Sequence, residues 1–325
     1  MVHWKAARSL LLLALMMAAM AYPSRCANVL LVRDDLAEIA TPRGTPIDEA
    51  ALQSIFQGVQ KEQSESLYLL AMMKFYGHGM PQDVDAAVNL LDRAAERGHR
   101  DAEFALGVLY SLGEGVSHSD SSSAAWLARS AARGHVDAKW MLAIMYNEGR
   151  GVDEDANRAV ELLQAAVSMG SPQALFHLGV MSEYGRGVPQ DFVQAAKLYE
   201  QAHEHQVADA SYYLGLLYVQ GRGVQQSFEH ARGYFQQAVE LGSAQAMYAL
   251  GQMHVHGQGS PADFHQALYW LKRAVQQNDV RVSATAQHVV QEIELVLNEA
   301  ELHVQMAEQA LGVSIRAQIG TAIDS

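Results

Sequence analysis

The sequence predicts an all-α, right-handed α-solenoid of about six helix–turn–helix units with capping helices. Three observations carry this. A Gly-x-Gly recurs at Gly77/Gly79, Gly113/Gly115, Gly149/Gly151, Gly185/Gly187, Gly221/Gly223 and Gly257/Gly259, every 36 residues, without insertion or deletion. Leucine stands seven residues before each first glycine, at Leu70, Leu106, Leu142, Leu178, Leu214 and Leu250. Aspartate or serine stands six residues after it, at Asp83, Ser119, Asp155, Asp191, Ser227 and Asp263. A fixed period of this length is the mark of stacked supersecondary units, none of which can bury its apolar face alone.

Within each unit the columns give two helices. Small residues eleven before the glycine (Ser66, then Ala102, Ala138, Ala174, Ala210, Ala246) join the leucine column. Met73, Leu109, Met145, Met181, Leu217 and Met253, four before it, complete the stripe. Spacings of four and three place all three on one helix face. Ala71, Gly107, Ala143, Gly179, Gly215 and Gly251 are small where the second helix of the hairpin is expected to approach. The glycines end the first helix, since glycine adopts positive φ without steric cost. The Asp/Ser column then supplies N-caps for the second helix. That helix carries the bulky pairs Leu90/Leu91, Trp126/Leu127, Leu162/Leu163, Leu198/Tyr199, Tyr234/Phe235 and Trp270/Leu271. It stops at Gly98, Gly134, Gly170, Gln206, Gly242 and Asn278.

The array spans 65–280. Before it, residues 28–64 hold a short amphipathic helix, about Pro46 to Val59, expected to cap the first repeat; after it, 281–311 form a helical C-terminal cap and 312–325 a tail. The first 27 residues differ from the rest. A cationic start (His3, Lys5, Arg8) precedes an apolar run from Leu10 to Ala21. That run is too short to span about 30 Å of hydrocarbon. It reads as a secretory signal cleaved near 21–27, with an uncleaved anchor or a mitochondrial presequence as alternatives. The mature chain is expected to insert no segment into a membrane. Cys26 is the only cysteine, so packing rather than disulfides must hold the fold.

The run Ala102-Glu103-Phe104-Ala105-Leu106-Gly107-Val108-Leu109-Tyr110, followed by Gly113-Glu114-Gly115-Val116, resembles the Sel-1-like repeat family, as does Gly185-Arg186-Gly187-Val188-Pro189-Gln190-Asp191. The likeness covers about Glu65 to Asn278; repeat one departs at Lys74 and Met80, repeat six at His254 and Ser260. The resemblance implies an α-solenoid related in shape to tetratricopeptide arrays, acting as a scaffold or adaptor for other proteins. Members in the eukaryotic secretory pathway include the luminal adaptor of the ER membrane ubiquitin ligase, which presents misfolded proteins for degradation. Bacterial members with signal peptides act as periplasmic or secreted regulators and host-interaction factors. The expectation is therefore a scaffold in the secretory pathway, in the ER lumen or secreted, with a role in ER-associated degradation; the alternative location is the periplasm.

Formal net charge is −13, from 23 Lys plus Arg against 36 Asp plus Glu. That balance opposes nucleic-acid binding, which needs clustered cations to displace counterions. Proteins or extended peptides are the expected partners, held on the concave solenoid face. Nine before each glycine every residue is aromatic: Tyr68, Phe104, Trp140, Phe176, Tyr212 and Tyr248. Such rings are enriched at binding hot spots, with packing between repeats as the alternative. Twelve before the glycine, Asp101, Asp137 and Asp209, with Glu65, form either an acidic stripe or a set of helix-dipole partners. His203/His205 and His254/His256 are spaced two apart, which a helix splits between faces, so no metal site is expected. There is no G-x-S-x-G elbow, and each Gly-x-Gly follows a helix rather than a strand. Some family members assigned hydrolase activity are cysteine-rich, which this chain is not. Neither an enzyme, a cofactor nor a small-molecule substrate is expected.

Overall fold

A computed structural model describes residues 49–311. The signal peptide expected at 1–27, residues 28–48 with the start of the expected capping helix, and the 312–325 tail lie outside the described residues. Fourteen α-helices and no strands occur among those described. They are α1 (Glu49–Gln60), α2 (Ser64–Tyr76), α3 (Val84–Glu96), α4 (Arg100–Leu112), α5 (Asp120–Ala132), α6 (Val136–Glu148) and α7 (Ala156–Ser168). Then come α8 (Pro172–Tyr184), α9 (Phe192–Glu204), α10 (Ala208–Gln220), α11 (Phe228–Glu240), α12 (Ala244–His256), α13 (Phe264–Gln276) and α14 (Ser283–Leu311). Each repeat contributes one even-numbered helix (helix A) and the odd-numbered helix after it (helix B). The fold is an all-α solenoid.

The described helices fall into two compact units, α1–α10 and α11–α14, divided after Gln226 in the loop of repeat five. In the first, α2/α3, α4/α5, α6/α7 and α8/α9 form hairpins; each helix B also packs on the next helix A, and α1 caps α2. In the second, α11, α12, α13 and α14 pack in sequence order.

The loop chemistry follows the columns. Gly113 takes φ +71° and returns its N–H to the carbonyl of Leu109, a left-handed helix stop repeated at all six first glycines. The Asp/Ser residues cap helix B as expected: Asp155 accepts from the Arg158 amide and Ser119 from that of Ser122. Such a serine cap stabilises by about 1 kcal/mol. The capping residue's own amide closes the loop, as Asp155 N–H donates to the Tyr146 carbonyl three residues before the glycine. At the far end of helix B, Gln206 and Asn278 hold φ near +60° and +53° where other repeats have glycine. Asparagine accepts that conformation with modest strain; for Gln206 it is a local cost that packing must override.

The core is repetitive. The alanines eleven before the glycine in repeats two to six, and those ten after it in repeats one, three, four, five and six, have no exposed surface. The second of each bulky pair (Leu91, Leu127, Leu163, Tyr199, Phe235, Leu271) is at most 1% exposed. Burying one such leucine contributes about 2 kcal/mol. The small column behaves as its residues require. A Cβ at Gly107 would lie 2.8 Å from Leu127, at Gly179 2.7 Å from Tyr199, and at Gly251 2.6 Å from Leu271. Each clash is with the helix B of the same hairpin.

The second glycine of the Gly-x-Gly in repeats three, four and five does something the sequence columns did not reveal. A Cβ at Gly151 would lie 2.1 Å from the Asp120 carbonyl oxygen, at Gly187 2.4 Å from that of Ala156, and at Gly223 2.2 Å from that of Phe192. Backbone meets backbone there, one repeat's loop against the first residue of the preceding repeat's helix B.

Candidate protein-binding face

The aromatic column lies mainly between repeats. Tyr68, Phe104, Trp140 and Phe176 are at most 6% exposed; Tyr212 and Tyr248 are half-buried. Tyr68 stacks on His99 at 4.6 Å and Phe104 on His135 at 4.2 Å, each histidine capping the first helix of the next repeat. Trp140 stacks on His177 at 5.6 Å, and Phe176 meets Tyr213 edge-on at 5.4 Å.

Those first two histidines form a column that sequence reasoning missed. His99 and His135 precede helix A by one residue, and Nδ1 of each accepts the amide of the third helical residue, Ala102 or Ala138. Ser171 and Ser243 cap the same position, whereas Val207 gives no side-chain cap. The residues stand 36 apart, so the period could have revealed them. Their changing chemistry hid a constant role, an acceptor at the N-cap.

The acidic column is wired into the seams. Glu65 lies 2.9 Å from His99 Nε2, and Asp101 3.4 Å from His135 Nε2. Asp137 accepts from the Trp140 indole N–H at 2.9 Å. Asp209 is buried. These are contacts at or near helix N-termini, where a carboxylate is favoured by the dipole as well.

Beside these columns, positions twelve, eight, five and one before the glycine share a face of helix A. In the first unit that row changes character along its length. At repeats one and two, Met72, Phe75, Tyr76, Ala105, Val108 and Leu112 line a cavity of about 30 Å³, with Phe104 in its wall and Glu114 at its edge. Burial there holds the Glu114 carboxyl above the usual carboxylate range. At repeats four and five the row carries His177, Tyr184, Asp209 and Tyr213. Glu183, buried behind them, accepts the Tyr199 hydroxyl at 2.7 Å. Burial, and then the neighbouring Tyr184, Tyr212, Asp209 and Glu183, push the Tyr213 phenol up to about 12. Burial and Glu183 raise Tyr199 and Tyr184 as well, with Arg222 opposing the shift at Tyr184. Tyr184 is 59% exposed. One end of the row thus presents an apolar notch; the other presents an accessible phenol in a field of buried negative charge.

Among the described residues no three His, Cys, Asp or Glu side chains gather as a metal site. No described helix is long and apolar enough to cross a membrane.

Six consecutive matches to the Sel1 repeat family cover 64–99, 100–135, 136–171, 172–205, 208–243 and 244–279. The chain is similar in fold to a Sel1 repeat protein from Oxalobacter formigenes, with TM-score 0.63 and 22% identity over 66% of this chain and 85% of that one. It is also similar to a protective antigen of uropathogenic Escherichia coli displaying an SLR fold, with TM-score 0.50 and 24% identity over 74% of this chain; the match spans 58% of that antigen. No curated protein matches. The chain belongs to the Sel1 repeat family, whose members are protein-interaction scaffolds.

Proposed function

We propose that this chain is a non-catalytic scaffold of the secretory pathway that holds an extended polypeptide along the helix A row of its first unit. The reading rests on one observation: the row pairs an apolar notch at Met72, Tyr76, Val108 and Leu112 with the Tyr184/Tyr213 region backed by Glu183 and Asp209. A segment with a large apolar side chain and a Lys or Arg several residues away meets both, through burial at one end and charge and cation–π attraction at the other. The cationic and apolar run through Ala21 supports entry to the secretory pathway, where presentation of clients for ER-associated degradation is the specific role proposed; a periplasmic or secreted regulator is the alternative.

The test is binding of a peptide library to the full chain. Peptides combining an apolar anchor with a cation are expected to bind at least tenfold tighter than scrambles, and Ala105→Glu and Tyr184→Ala each to weaken them about tenfold. Equal binding of the scrambles, or no loss in either variant, overturns the site. Cell fractionation tests the location: recovery from the ER or medium supports the first reading, recovery from a periplasm the second.

A further inference from the structure

The helix α14 is 29 residues long, whereas every helix of the repeats has 13. At 1.5 Å per residue it extends about 43 Å, roughly twice the length of its neighbour α13. Its first half packs against α13. Ala286, Val290 and Ile293 are buried, and Lys272 of α13 pairs with Glu294 at 2.7 Å. Leu297 shares an open cleft with Phe264 at the start of α13. The remaining 14 residues run about 21 Å past that point.

The apolar register does not stop where α13 does. Ala286, Val290, Ile293, Leu297, Ala300, Val304, Ala307 and Leu311 alternate at spacings of four and three, a strict heptad seam. A cap needs only the first half of it. One flank of the seam carries Glu294 and Glu301, and the other Val289, Val296 and His303. Val296 is 54% exposed. Residues 283–311 contain five glutamates and neither lysine nor arginine.

We infer that the outer half of α14, 297–311, is a docking stripe for one amphipathic helix of another protein, with Lys or Arg flanking its apolar seam. Continuity with the seam already buried on α13 argues for a helical partner in coiled-coil register. Charge argues against a second copy: antiparallel pairing sets the glutamate flanks against each other, and any self-pairing joins two helices without a cation. A basic-flanked helix answers that field and gains from it. This site is separate from the helix A row and does not depend on it.

The test uses the full chain and three synthetic helical peptides: one with Leu/Ile at the seam and Lys on both flanks, one with Glu flanks, and a scramble of the first. The basic helix is expected to bind at least tenfold tighter than either control, more weakly as salt rises. Val304→Asp, placed beyond α13, is expected to abolish that preference without changing the unfolding transition, whereas Leu302→Glu on the opposite face leaves it intact. Equal binding of the scramble overturns the proposal, as does an unchanged preference in Val304→Asp. So does a dimer in sedimentation equilibrium that Val304→Asp converts to monomer, since a second copy then occupies the stripe.

Discussion

Two joints of the first unit, repeat two with its seam to repeat three and repeat four with its seam to repeat five, share a backbone and differ in polar wiring. In the first pair, Glu103 is fully buried and bound by both Arg129 and Arg133, while the Ser130 hydroxyl donates to the Arg100 carbonyl. His135 caps α6, stacks on Phe104 and reaches Asp101. In the second pair, Glu183 is buried against the neutral Tyr199 hydroxyl, Val207 supplies no cap, and His203 bonds Ser211 at 2.8 Å. Both joints bury a carboxylate within the hairpin, but only the first surrounds it with cations. The first therefore spends its charge on cohesion, and the second leaves a negative field beside the accessible Tyr184. A repeat array can vary the electrostatics of each joint while holding its geometry fixed.

The geometry common to both seams should fail most severely. Gly151→Ala and Gly223→Ala drive a Cβ into a carbonyl at positive φ and are each expected to cost more than about 3 kcal/mol in denaturant unfolding. Gly134→Ala, with φ +85° and open space, is expected to cost only about 1 kcal/mol. Next comes the wiring. Tyr199→Phe strips a buried carboxylate of its donor and should cost about 2–3 kcal/mol. Arg133→Ala should cost about 1 kcal/mol, because Arg129 still holds Glu103. Equal losses for these two would erase the proposed difference between the two joints. Transplanting the capless state with His135→Val should cost about 1 kcal/mol.

The smallest effect is a matter of pH. Glu114 has a raised carboxyl in the folded state, so its ionisation opposes folding: its favourable contribution is complete below the ordinary carboxylate range and is lost as pH rises through the folded value. Glu114→Gln is therefore expected to stabilise the chain slightly at pH 7, by a margin that vanishes near pH 4. Asp83 and Asp263 run the other way. Their caps, with backbone amides as the leading cause, hold them below the usual range, so their contribution is present above about pH 4 and is lost on acidification.

The helices, their stops and the Asp/Ser caps were legible because one residue type, or a close pair, recurs at one offset and the physics there is local. The small column was legible for the same reason, and Gly107, Gly179 and Gly251 do meet their partner helices. The candidate binding row was not. Phe104 or Trp140 reads as seam packing or as a hot spot until a ring such as His135 is seen on its face. Glu183 and Tyr199 sit 16 residues apart on different helices, in a pairing only this repeat makes, so no column marks it. The second glycines were visible as letters, but at Gly151, Gly187 and Gly223 the contact is with backbone, which carries no sequence signal at all.

That backbone contact sets how the molecule can change size. The loops of repeats three, four and five must each land on the opening carbonyl of the helix B before them, with no side chain to absorb an error. One or two inserted residues carry the glycine off its target, and a bulkier residue cannot follow it. Removal or duplication of 36 residues returns an identical glycine to an equivalent carbonyl. The length of this protein is therefore quantised, and the unit of change is one whole pair of helices.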